Sequence, residues 1–234
     1  SDYGGLTGAG LVVEAASENL EIKKKIYAEL ERVLTPDAVL ASNTSHLEPE
    51  VIFAELRQPG RALVAHYFFP AERNPIVELA VSPLTDEETV RFMETLYEQT
   101  GKIPVRLGSR FGFAVNPVFE GMVLASCLLV EQGVADPIQV DAVAQKVLGY
   151  GVGPFTAMNL CGGNPLTAEA LPEYGARVMP WYKCPPNLRQ MADDGESWPM
   201  AERGAEVEVP AELEEKVGRA LQGAYFGLVT EIVD

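Results

Sequence analysis

Short aliphatic and β-branched runs alternate with longer stretches of helical periodicity through the first half of this 234-residue chain. Residues 10–16 (GLVVEAA) follow glycine-rich coil and predict a buried parallel strand. Ser17-Glu18-Asn19 then precedes a stretch whose apolar positions Leu20, Ile26, Leu30 and Val33 share one helix face, and Pro36-Asp37 stops it. A second buried strand is predicted at 38–41 (AVLA), followed by the polar turn Ser42-Asn43-Thr44-Ser45 and a short helix from about 49 to 56. Residues 61–69 (RALVAHYFF) and 76–81 (IVELAV) read as two more strands, separated by a loop at 70–75. The acidic start Thr85-Asp86-Glu87-Glu88 suits the positive end of a helix dipole and opens a helix to about Thr100, ended by Gly101. Residues 103–107 (IPVRL) form a last strand. Strand and helix alternating in this way give a helix-covered sheet, the α/β class.

The pattern changes at Phe111-Gly112-Phe113. Residues 116–132 predict a long helix that is apolar nearly all round, and so buried in the domain or against another subunit; 138–148 predict a second, amphipathic helix. No strand-like run follows. A boundary is therefore expected at about residue 112, with an α/β domain over 1–112 and an all-helical one over 113–204. Residues 165–210, rich in Pro, Trp and charge, read as an irregular extension containing Trp181 and Trp198, which as isolated residues suit a core or an interface. A final helix over 212–234 lies in a segment, 205–234, that reads as the start of a possible second helical domain.

The net charge of −16 argues against nucleic acid or an anionic membrane as the main partner, and no run is apolar enough to span a bilayer. Cys127, Cys161 and Cys184 are odd in number and widely spaced; they suggest reduced thiols in a cytoplasmic protein and no metal site.

The chain has two histidines, His46 and His66. His66 lies in an apolar strand, where the structural alternative is a core imidazole satisfied by a carbonyl. Glu78 lies in the next strand between Val77 and Leu79, and a carboxylate there is costly to bury without a hydrogen-bonded partner. Antiparallel pairing across the 70–75 loop would bring the two together. A carboxylate on one imidazole nitrogen fixes the tautomer and stabilises the imidazolium, leaving the other nitrogen to accept a proton; a purely structural ion pair is the alternative. Asn43 and Ser45 follow a buried strand, where ligands of open α/β sheets bind, though Asn and Ser are also common turn formers. Asn116 precedes Pro117 at a helix start, where an N-cap is the plain reading.

Together these stretches are more specific. LVVEAASENLEIKKKIYAEL, LASNTSHL, VAHYFFP, NPIVEL and GFAVNPVFE occur in the order and spacing of the L-3-hydroxyacyl-CoA dehydrogenase family, and EQGVADPIQVDAV and GYGVGPFTAMNL resemble its helical domain. The resemblance implies a Rossmann-type domain followed by a helical one that dimerises, NAD as cofactor and an acyl-CoA substrate. It gives His66 the role of base and Glu78 that of its partner. Ser45 and Asn116 become the substrate-hydroxyl contacts, and Glu18, Lys23, Asn43 and Ser45 the cofactor-side residues. Two departures stand out. Phe69 occupies the asparagine position of the family's HFFNP motif, and no GxGxxG occurs, so the Rossmann-type domain is expected to be incomplete, its first βαβ unit preceding Ser1. The expected activity is NAD-dependent oxidation of an L-3-hydroxyacyl-CoA to the 3-ketoacyl-CoA, within a possibly multifunctional parent. The alternatives are a degenerate oligomerisation or channelling module, and the same chemistry on a cyclic or aromatic-pathway hydroxyacyl-CoA.

Overall fold

Strands β1 (Leu11–Glu14), β2 (Val39–Ser42) and β3 (Ala62–Tyr67) run parallel in a computed structural model of the protein, which describes residues 3–202 and 204–233. Strand β4 (Ile76–Val81) returns antiparallel along β3, and β5 (Ile103–Gly108) lies parallel to β4, giving the sheet order β1-β2-β3-β4-β5. Helices α1 (Leu20–Val33), α2 (Pro49–Ile52) and α3 (Glu87–Gln99) join these strands. Side chains alternate across the sheet. Leu40, Ala62, Val64 and Ala80 pack one face against Tyr27, Leu30, Ile52 and Phe53, whereas Ala41, Leu63, Ala65, Val77 and Leu79 pack the other against Met93 and Tyr97. Asn19 caps α1, its side chain accepting from the Ile22 amide at 3.0 Å.

The chain divides into two compact units, Ser1–Phe113 and Ala114–Asp234. At the break Gly112 (φ 71°) and Phe113 (φ 58°) are both left-handed, a conformation cheap for glycine and costly for phenylalanine. The fully buried Phe113 ring, packed within the first unit, offsets that cost.

The described residues of the second unit are helical: α4 (Val115–Glu131), α5 (Pro137–Leu148), α6 (Pro154–Leu160), α7 (Gly163–Arg177), α8 (Pro186–Asp193) and α9 (Ala211–Val233). Helix α4 is the hub and packs on the other five. It crosses α9 closely because Gly121 has no side chain; a Cβ there would come within 2.6 Å of Leu228. Asp136 and Gln139 form a capping box at the start of α5, and Asp141 accepts from the Phe155 and Thr156 amides at the start of α6.

The second unit departs from the sequence-based expectations in two places. Residues 165–210 are not wholly irregular: α7 and α8 occupy much of the segment, with Ala168, Leu171, Tyr174 and Leu188 turned inward. Pro172 inside α7 masks its periodicity in the sequence. Asn116 is not the N-cap of α4, whose cap position is Ala114; it lies one residue inside the helix.

Candidate active site

His66 and Glu78 are direct cross-strand partners in the β3–β4 register, so the pleat places both on one face. Imidazole Nδ1 lies 2.8 Å from Glu78 Oε2, with the two residues 4% and 1% exposed. An ionised carboxylate can only accept, so Nδ1 donates and Nε2 is the nitrogen left for proton exchange. Phe68 packs edge-on against the imidazole at 4.7 Å, and Phe113 lies against it at 5.5 Å. The ring is thus held by one carboxylate and two aromatic walls.

At the carboxyl end of β2 the chain turns through Asn43, Thr44, Ser45 and His46, and a single carboxylate oxygen organises that turn. Glu18 Oε1 accepts from the Thr44 hydroxyl, from the Ser45 amide at 2.9 Å and from the His46 amide at 3.2 Å. Burial alone would push the Glu18 carboxyl up, but hydrogen bonds from His46, Thr44 and Ser45 and the Lys23 charge together hold it down to about 2. Its side chain is 40% exposed. Asn43 ties this turn to β3, its Oδ1 accepting from the Tyr67 amide at 3.0 Å.

Lys23, assigned to the cofactor by resemblance, has its side chain wholly buried. Its ammonium lies 3.0 and 3.1 Å from the two oxygens of Glu14 and 3.6 Å from Glu18. Asn116 lies in the second unit, in the first turn of α4. The structure therefore joins His66 with Glu78, and Glu18 with Lys23 and the Ser45 turn.

One residue of this region escapes a sequence reading. Glu14 ends β1, is 5% exposed, and accepts from the Ala16 amide at 2.6 Å, from Lys23, and from the Ser42 hydroxyl at 2.8 Å. The single Tyr27 hydroxyl proton is shared between the Ala41 carbonyl at 3.0 Å and Glu14 at 3.4 Å. Burial, reinforced by the Glu14 charge, pushes the Tyr27 phenol up. The signal was present, since Glu14 sits in an apolar run as Glu78 does. Phe69 follows β3 and is 73% exposed. Among the described residues no cluster of His, Cys, Asp and Glu could hold a metal, and no helix is long and apolar enough to cross a membrane.

Comparison with known proteins gives two family matches: 3-hydroxyacyl-CoA dehydrogenase, NAD binding domain, over residues 1–110, and 3-hydroxyacyl-CoA dehydrogenase, C-terminal domain, over residues 112–205. A 3-hydroxybutyryl-CoA dehydrogenase of Mycobacterium tuberculosis is 36% identical over 209 residues, spanning 87% of this chain and 72% of that protein. A 3-hydroxyadipyl-CoA dehydrogenase of Escherichia coli is 36% identical over 162 residues, 69% of this chain and 34% of its own length. Among solved structures, M. tuberculosis FadB2 superposes with a TM-score of 0.76 at 35% identity, covering 84% of this chain and 70% of that one. The 3-hydroxybutyryl-CoA dehydrogenase of E. coli superposes with a TM-score of 0.79 at 30% identity, covering 90% of this chain and 47% of that one.

Proposed function

The chain belongs to the 3-hydroxyacyl-CoA dehydrogenase family, and from that premise we propose that His66, oriented by Glu78, is the base that takes the hydroxyl proton when an L-3-hydroxyacyl-CoA is oxidised to its 3-ketoacyl-CoA. The protein is an NAD-dependent oxidoreductase of hydroxyacyl-CoA thioesters. The observation that carries the residue assignment is the 2.8 Å bond between His66 Nδ1 and Glu78 Oε2 on one sheet face.

Glu18 fits a contact to NAD. Glu18 is ionised and partly exposed beyond the carboxyl ends of the parallel strands β1–β3, where an acceptor for ribose hydroxyls belongs in an open α/β sheet. When bound, the nicotinamide supplies the hydride acceptor. The chain's own residues handle the proton. His66 accepts it from the 3-hydroxyl through Nε2, and Glu78 stabilises the resulting imidazolium. Ser45 and Asn116 hydrogen-bond the substrate oxygen as it becomes a carbonyl, and polarise it in the reverse direction. Asn43 supports the turn that carries Ser45, and dimerisation through the helical unit and a cytoplasmic site of action belong to the same proposal.

The test is NAD reduction by a 3-hydroxyacyl-CoA. His66→Gln should lower kcat by about 10²- to 10⁴-fold, the usual contribution of a positioned general base, with an unchanged circular dichroism spectrum. Retention of full turnover by that variant would remove His66 from the mechanism.

The exposure of Phe69 favours a second reading within the same chemistry, in which a cyclic or aromatic acyl group covers that ring. Under that reading a panel of acyl-CoA substrates should show higher kcat/KM for cyclic or aromatic acyl groups than for straight chains of equal carbon number, and Phe69→Asn should erase the difference.

A further inference from the structure

One buried carboxylate, Glu14, and one partly exposed carboxylate, Glu18, compete for one buried cation at the carboxyl ends of β1 and β2. Lys23 lies 3.0 and 3.1 Å from Glu14 and 3.6 Å from Glu18, with no exposed side-chain surface. A buried ammonium cannot be left unpaired, so removing one carboxylate drives it fully onto the other. Glu14 is the stronger holder because its position is overdetermined. The Ala16 amide, the Ser42 hydroxyl and the Tyr27 hydroxyl all donate to it, tying β1, β2 and α1 to one group. Glu18 is the weaker holder of Lys23. Its other oxygen is committed to the turn, through Thr44 and the Ser45 and His46 amides.

We propose that Glu14 is a positioning residue for the dehydrogenase reaction: by holding Lys23, it leaves Glu18 free to hold the turn that presents Ser45. The inference rests on the reading above that Ser45 contacts the substrate oxygen. The path has three links: Glu14 to Lys23, Lys23 against Glu18, and Glu18 to the Ser45 and His46 amides. The pair also accounts for a lysine buried in the first turns of α1, a position where an apolar residue would pack without a charge to neutralise.

The experiment compares the parent enzyme with Glu14→Gln and with the double variant Glu14→Gln/Lys23→Met. Two quantities are read: hydrogen exchange at the Ser45 and His46 amides, and kcat and KM with NAD and 3-hydroxybutyryl-CoA. Glu14→Gln keeps the size of the side chain but releases Lys23 onto Glu18. Protection at both amides should fall by about tenfold or more. Turnover should fall by about ten- to a hundredfold, the scale of a sub-ångström to ångström displacement at a reacting centre, with KM for the thioester moving less. The double variant removes the competing cation, and protection at both amides should recover most of the loss. That non-additive result is one a merely structural role does not give, since two core changes would then add. Should Glu14→Gln fail to fold, Glu14→Asp keeps the charge but shortens its reach, and smaller losses of the same two quantities are expected. Unchanged protection at both amides in the variant that folds overturns the relay whatever happens to turnover. Lost protection with unchanged kcat overturns the positioning role, and with it the assignment of Ser45 to the substrate, while leaving His66 and Glu78 untouched.

Discussion

Glu78 and Glu120 are both carboxylates shut away from water, and they are kept in opposite ways. Glu78 is matched by an imidazole at 2.8 Å. Replacing it with Gln keeps the shape but removes the charge that stabilises imidazolium, so kcat should fall by about 10²-fold or more while substrate KM changes little, as when an orienting acid is neutralised in a hydrolase triad. Glu120, on α4, has an Oε2 with no hydrogen-bond partner, and burial pushes its carboxyl up to about 8. The folded state therefore binds a proton that the unfolded chain has released between about pH 4.5 and 8, and stability falls as pH rises through that window. Glu120→Met should raise the urea midpoint, with the gain growing from pH 5 to pH 8 and reaching roughly 2–5 kcal/mol. A gain that does not change with pH would mean that Glu120 is not protonated in the folded protein. Glu78 is legible in the sequence because Val77 and Leu79 flank it in a strand with a histidine in the strand before. Glu14 carries the same sign in GLVVEAA, but its partners Lys23, Ser42 and Tyr27 come from two other elements, and no spacing along the chain announces them. Lys23 itself reads as one of three consecutive lysines on a helix surface, and only the packing reveals which one points inward.

At the scale of elements, strands are easier to read than helices in this chain. β4 is bounded by Pro75 and Pro83 and stands out from its hydrophobic run alone, and β1, β2, β3 and β5 are similarly bracketed by glycine, proline or polar turns. The helices of the second unit are harder. α6 begins at a Gly-Pro pair and spans seven residues, too few for a periodic signal, and α7 carries Pro172 in its interior. These helices owe their place to Phe155, Met158, Leu171 and Tyr174, all buried, with Phe155 packed on Trp198 and Tyr174 on Tyr182 from segments distant in the chain or outside any helix. The α4–α9 crossing depends on one such contact, Leu228 seated over Gly121. Gly121→Val should overpack it and lower stability by about 1–3 kcal/mol, read as a lower melting temperature, even though valine is the better helix former. A rise in melting temperature would mean that Leu228 moves aside without cost.

The whole molecule carries a formal charge of −16, and its exposed ion pairs, such as Arg106–Glu87 and Arg219–Glu215, are worth little individually. Self-repulsion is the larger electrostatic effect at this scale. Raising the salt concentration from about 10 to 150 mM shortens the screening length from about 30 to about 8 Å and should therefore raise the melting temperature. A fall would show that surface ion pairs outweigh the net charge. The fold class is legible because α/β alternation gives way to helix alone at Gly112, whereas the left-handed Phe113 at that change is not, since nothing local favours it over a second glycine. One consequence follows from the antiparallel return of β4 along β3 in an otherwise parallel sheet. The proposed base and its orienter sit on the two arms of a single hairpin, so any displacement of that hairpin carries both together. The connecting segment 68–75 is free to lengthen in descendants of this enzyme without parting them, but the loss of one residue inside either arm turns one partner to the opposite side of the sheet.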